Sequence, residues 1–350
     1  MKSKFILENL FIDHEHEMID LTDKKFNNDS QPNSSLNNNG QGEHLCMDIY
    51  RIYHFYIEKI MGAIGSLLNI VCIIVFLKLI RKKASSGDMY KYLLFKSAID
   101  TCVLLRNFLY IFIECKVCGF NKFYAFKVIE LILFVYFSFV TQLISMLCEL
   151  AANFDRYKIL SKNCKAFNGI TYKYGISGML IYSSLFYSYK FFERKIVKRH
   201  SNINNSTAEY YSLIYTKFGI SDQVIVFDFI HSLIRDGLIV MMMFTLNMMT
   251  LCAIKKILAK KKNLTKSFNE KNHRSEIKTS TMLLVTSVIA IVGHSLYFVF
   301  NIPWFVFHLS ECMYPFINFV YYLSFTVNFF VYFFFNKHFR NSLPKFFNKN

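Results

Sequence analysis

The sequence predicts an all-α fold, a bundle of seven transmembrane helices followed by a short amphipathic C-terminal helix. Three observations predict it. Hydrophobic residues fill 53% of 350 positions, with a mean hydropathy of +0.27, more apolar surface than a soluble interior of that size encloses. They are gathered into seven runs, of which Ile60–Leu77 alone is 18 residues without a charge, against the roughly 20 that span a bilayer. The basic residues collect in alternate gaps between runs, which is how charge orients a membrane protein.

Residues 1–52 carry nine Asp/Glu against five Lys/Arg and a low-complexity stretch from Asn27 to Gly42. Such a segment buries too little surface to offset its ordering entropy, so a disordered extracellular tail is expected. Lys2 and Lys4 precede only a short apolar stretch broken by Glu8 and Asp13, unlike a cleavable signal peptide, and the first helix is expected to act as the insertion signal. The transmembrane domain covers 53–335, with helices at about 56–80, 91–114, 126–157, 172–192, 223–255, 278–307 and 313–335. Inside a bilayer each run must satisfy its own backbone, which favours helix. Pro303 and Pro315, two of only four prolines, mark the end of the sixth helix and the start of the seventh, and most helices are expected to lack proline kinks. Residues 336–350 read as an amphipathic helix and tail on the inner membrane surface, with Phe339, Leu343, Phe346 and Phe347 as its apolar side.

Charge sets the orientation. Lys78, Arg81, Lys82, Lys83 and Lys91 follow the first helix, Lys158, Lys162, Lys165 and Lys173 the third, and nine basic residues lie between Lys255 and Lys278 after the fifth. These gaps and the C-terminus should be cytoplasmic and the acidic tail outside, in the plasma membrane. The 193–217 loop, with Arg194, Lys195, Lys198, Arg199 and Lys217, runs against this trend. Glycosylation sequons at Asn28, Asn33, Asn204 and Asn205 all fall on the expected outside, whereas the one at Asn263 is read as chance.

A net charge of +17 raises nucleic acid as a partner, but no basic stretch is interleaved with a soluble aromatic platform, and the reading excludes it. His14-Glu15-His16-Glu17 lacks the helix-spaced histidines of a metalloprotease, and no phosphate loop, nucleophile elbow or metal-binding cysteine set is present, so no enzyme is expected. Cys72, Cys102, Cys148 and Cys252 lie inside apolar runs and read as buried thiols. Cys46, Cys115, Cys118 and Cys312 fall in gaps, and any disulfide among them has open connectivity.

Several polar residues sit where a bilayer makes them costly. Asp155-Arg156-Tyr157 closes the third run, and Arg156 there is either paired or a snorkelling arginine at a helix end. Asp100 lies in the middle of the second helix, and Asn69, Ser145, Asn328 and Tyr332 are further polar positions within runs. On these motifs the chain resembles the rhodopsin-like, or class A, G-protein-coupled receptors, as a divergent member. The resemblance implies that Asp155, Arg156 and Tyr157, with Glu276 at the start of the sixth helix, form a latch that opens to a heterotrimeric G protein. It implies a polar core of Asn69, Asp100, Ser145 and Asn328 able to hold a sodium ion at Asp100. Hydrogen bonds between helices without an ion are the alternative.

Asn328-Phe329-Phe330-Val331-Tyr332 carries Phe where the family has Pro, so less kink is expected in the seventh helix. The family's Cys-Trp-x-Pro motif is replaced by Gly293-His294-Ser295-Leu296, Leu131 stands at the usual disulfide position, and Trp304 is the only tryptophan. Ser138 stands where amine receptors have Asp, and the seventh helix has no retinal-binding Lys. Arg235-Asp236 and Asn247 resemble the fifth helix of some invertebrate neuropeptide receptors, and that resemblance implies a peptide ligand. Its pocket would include Arg106, Ser138, Arg235 and His294; alternatively Arg106 and Arg235 only pair with Glu130 or Asp236. Glu149, two turns before Arg156, would help hold the resting state. Arrestin and kinases would be further partners, with Thr265, Ser267, Ser275 and Thr279 favoured over the tail's one serine, Ser342, as kinase sites. The reading from another class is a transporter or channel subunit, opposed by the lack of an internal repeat.

Overall fold

The structure, a computed structural model, describes residues 49, 52–82, 88–114, 120–161, 172–203, 206–263, 270–301 and 313–343. The expectations for the N-terminal tail, the four sequons Asn28, Asn33, Asn204 and Asn205, Trp304, and Cys46, Cys115, Cys118 and Cys312 fall outside them. Helix dominates the rest. A π-helical turn, Tyr53–Ile57, leads into α1 (Glu58–Arg81), and α2 is Met89–Leu109. A helix from Tyr124 passes through a π-helical segment, Glu130–Tyr136, into α3 (Phe137–Ser161), and α4 is Tyr172–Phe186. Strands β1 (Arg194–Ile203) and β2 (Ser206–Tyr215) follow. A helix from Asp222 passes through a second π-helical segment, Leu233–Leu238, into α5 (Ile239–Asn263), and then come α6 (Glu270–Asn301), α7 (Met313–Thr326), α8 (Asn328–Phe335) and α9 (Lys337–Ser342).

Among the described residues four helices are long and apolar enough to cross a membrane, Glu58–Arg81, Tyr124–Ser161, Asp222–Ala259 and Ile277–Phe300, and a fifth if the bent pair in α7 and α8 counts as one span. The other two predicted spans fall short for different reasons. In α2, 21 residues carry Lys91, Lys96, Asp100 and Arg106; α4 is only 15 residues long.

The packing is polar within and apolar without. Asn69, Asp100, Glu149 and Asp236 are at most 1% exposed, while Ile64, Leu67, Met241 and Leu238 are more than half exposed. A soluble protein inverts that distribution, and apolar faces this extensive need an apolar surrounding. The arrangement is compatible with a multi-pass membrane protein.

The interior is knit by contacts that cross elements. Phe76 of α1, Tyr332 of α8 and Phe339 of α9 stack edge to face or tilted, 5.1–5.8 Å between ring centroids. A second cluster joins Ile99 of α2, Leu143 and Ile144 of α3, Tyr187, and Ile239 and Met243 of α5. Where α1 crosses α2, a Cβ on Gly62 would stand 2.8 Å from the Leu104 carbonyl oxygen, so only glycine permits that approach.

The described residues are mostly helical, as expected, with one addition: the 193–217 loop contains an antiparallel hairpin, Arg194 opposite Tyr215 and Ile203 opposite Ser206. Its β-branched and aromatic residues suit a strand, and the Arg194 guanidinium lies over the Tyr215 ring, 4.7 Å from its centroid. The seventh helix kinks strongly despite lacking the proline, with 44° between Pro315–Thr326 and Asn328–Phe335. Here the side chains of Asn69 and Asn328 both donate to the Phe325 carbonyl, and the Thr326 hydroxyl to that of Tyr322, competing with the helix's own ladder. The basic gap after the fifth helix is largely helical, since α5 runs to Asn263 and α6 begins at Glu270. Cys102 and Cys252 are exposed, whereas Cys72 and Cys148 are buried, because the first two point away from the bundle axis.

The C-terminal helix forms over Lys337–Ser342, and residues 344–350 lie outside the described residues. Asn336 caps it by accepting from the Phe339 backbone N–H at 3.1 Å. Its apolar side meets protein, with Phe339 fully buried against Phe76, while Lys337 and Arg340 are exposed. Phe346 and Phe347 lie outside the described residues.

Candidate functional site

Helical spacing gathers buried polar residues into connected groups along the bundle, three of which hold the expected site residues. In the first, Lys96 and Asp100 are one turn apart in α2 and so share a face. The Lys96 ammonium lies 2.6 Å from Asp100 Oδ2 and 3.6 Å from Glu149 Oε2 of α3. Asp100 also accepts from the Ser145 hydroxyl and, at 3.0 Å, from the Asn328 amide of α8. The Asn69 amide spans from α1 to the Phe325 carbonyl at 3.1 Å. The structure thus brings together Asp100, Ser145 and Asn328, with Asn69 joined through the carbonyl it shares with Asn328.

The polar core does not fit a sodium ion as packed. The oxygen donors are of the right kind, but an ammonium already stands at hydrogen-bond distance from the carboxylate such an ion would need. Lys96 is the residue that sequence reasoning missed, although its position four residues before Asp100 was a visible signal.

The second group runs down the face that α3 turns toward α6. Glu149, Asn153 and Arg156 follow at intervals of four and three. The Glu149 carboxylate accepts from the Thr286 hydroxyl at 2.8 Å, the Asn153 amide donates to Ser287 at 3.2 Å, and Arg156 Nε donates to Ser280 at 2.9 Å. Asp155, beside Arg156, accepts from the Met89 backbone N–H at 3.0 Å and lies 3.8 Å from the Lys158 ammonium, tying α3 to the start of α2. Tyr157 is half-buried. Glu276 precedes Ser280 by one turn of α6, but its side chain lies outside the described residues. Tyr332 is fully buried, its hydroxyl without a partner among the described residues. Ser280, Thr286 and Ser287 were also missed; alone, helical serines and threonines carry no signal.

The third group lies in and around the π-helical segment before α5. Arg235 and Asp236 pair at 2.6 Å, His294 Nδ1 lies 2.9 Å from the other Asp236 oxygen, and an Arg235 N–H donates to Gln142 of α3 at 3.1 Å. Phe139 and Tyr297 wall the guanidinium at 5.9 and 5.7 Å. Of the expected pocket residues, the structure joins Arg235 and His294 through Asp236. Arg106 instead donates to Asn107 at 2.6 Å and reaches the Tyr322 hydroxyl at 3.5 Å. Ser138 is buried, and its carbonyl accepts from Thr141. Glu130 pairs with Lys127, not Arg106. Asn247 is buried with neither side-chain polar atom hydrogen-bonded among the described residues.

Of the expected kinase sites, Thr279 is buried within α6, and the disfavoured Ser342 is buried at the end of α9, so neither presents its hydroxyl to a kinase in this conformation. Thr265 and Ser267 lie outside the described residues, as does the Ser275 side chain.

The chain matches no family model, and no similar curated protein is found.

Proposed function

We propose that the chain is a seven-pass, rhodopsin-like receptor of the plasma membrane that transduces an extracellular ligand, a peptide by preference, to an intracellular heterotrimeric G protein. The N-terminus would face outside and the C-terminus the cytoplasm. The observation that carries the reading is the ladder of hydrogen bonds from Glu149, Asn153 and Arg156 to Thr286, Ser287 and Ser280, ending at Asp155-Arg156-Tyr157. It holds α3 against α6, and a conformation with α6 displaced must break it and release Arg156 toward a partner. A ligand shifts that balance only by its differential affinity for the two conformations. The Arg235-Asp236-His294 group at the other end of the polar seam supplies charged and aromatic walls for a ligand.

G-protein activation in cells expressing the chain tests the reading. Asn153→Ala and Glu276→Ala are expected to raise ligand-independent activation several-fold, and Arg156→Ala to abolish it. Surface-expressed variants that all match untransfected cells would sink it. A transporter or channel subunit is the second reading, favoured by Lys96, Asp100 and Glu149, since buried ionisable groups also mark ion and substrate pathways. Ion flux in the same cells, without G-protein activation, would select it.

A further inference from the structure

The buried carboxylates of α2 and α3 converge on a cation that the chain itself supplies. The Lys96 side chain is 6% exposed, and its two carboxylate partners are 1% exposed. Its ammonium reaches Asp100 at 2.6 Å and Glu149 at 3.6 Å. Asp100 is held in place by Ser145 and Asn328, and Glu149 by Thr286, so the single ammonium links α2 to α3, α6 and α8. Two carboxylates this close in a low-dielectric interior repel, and removing the positive charge between them leaves both uncompensated.

We infer that Lys96 is the resident cation of the polar core, a tethered ammonium lying where the resemblance places a sodium ion, and that the bundle therefore takes up no sodium there. An ammonium is a compact point charge with three donors, able to bridge several oxygens much as a small hard cation does. A free ion would have to displace a group already present at the high effective concentration that its tether confers. The i, i+4 spacing in α2 fixes that tether, so the assignment needs no rearrangement. It does not rest on the signalling proposal, because it concerns only how the core balances its charge.

The test is thermal unfolding of the purified full-length chain in lipid nanodiscs, titrated with sodium chloride and, at matched ionic strength, potassium chloride and choline chloride. The unaltered chain is expected to unfold at one temperature in all three salts. Lys96→Met is expected to unfold several degrees lower in choline chloride and to recover saturably in sodium chloride, because the vacated oxygens then accept a small cation. A saturable, sodium-selective rise in the unaltered chain overturns the inference, and so does a Lys96→Met protein that gains nothing from sodium. Should Lys96→Met fail to fold, the unaltered chain's titration still decides, together with Lys96→Arg, which keeps a tethered cation and is expected to ignore sodium. The readout is stability, so failure here and failure of the receptor reading are separate results.

Discussion

Asp236 serves three partners at once, its carboxylate accepting from Arg235 and the Ser232 hydroxyl while one oxygen also faces His294. Charge buried among apolar helices is tolerated only when paired, so the cost of losing one partner exceeds the net worth of the pair. Asp236→Ala is expected to destabilise the protein by about 3–5 kcal/mol, read as a lower unfolding temperature in nanodiscs. Arg235→Met combined with Asp236→Leu, which removes both charges at similar volume, is expected to lie close to the unaltered chain. If the single and double variants unfolded alike, the ion pair would not be what holds the site. Arg235 and Asp236 are adjacent in sequence, so their pairing was visible there as one of two alternatives. Gln142 and His294, 93 and 58 residues away, were not visible as its partners.

At the scale of elements, small residues and irregular turns set the geometry. Gly62 lies where α1 meets the backbone of α2, with Leu104 O at 2.8 Å and Phe108 N at 3.0 Å from a built Cβ, and backbone atoms cannot swing aside. Gly62→Ala is expected to force the helices apart and cost about 1–3 kcal/mol. Gly178, in α4, meets nothing within 4 Å, and Gly178→Ala there is expected to be neutral or slightly stabilising. Comparing the two melting curves checks the argument, and equal effects would refute it. The bend between α7 and α8 teaches a related point. Reading proline alone predicted a straighter helix, whereas amide and hydroxyl side chains reaching the Phe325 and Tyr322 carbonyls supply another cause.

At the scale of the molecule, apolar residues face outward and ionisable ones inward, and the charge of the gaps implies an orientation. With seven passes, a tag at the N-terminus is expected to be stained on intact cells and one at the C-terminus only after permeabilisation. Both tags on one side would remove the receptor reading, because the Arg156 end of the bundle and the acidic tail would then share a compartment. The hairpin bears on the basic 193–217 loop that ran against the charge trend. Its Lys198 is paired with Glu209 at 2.7 Å, and Tyr211 packs against Tyr124 ahead of α3, so part of that basic charge is tied up locally.

The sequence by itself determined that the chain is mostly helical, that its helices are apolar enough to suit a membrane, and that Asp100, Glu149, Arg156 and Arg235 are ionisable groups within them. Those features follow from local composition and spacing, which need no knowledge of neighbours. Only the tertiary structure decided who partners whom: that the Lys96 ammonium reaches both Asp100 and Glu149, that Ser280 receives Arg156, and that His294 joins Asp236. Such pairings depend on which faces of sequence-distant helices meet. In an apolar surrounding a buried polar group gains most from a partner, and packing determines which one it meets.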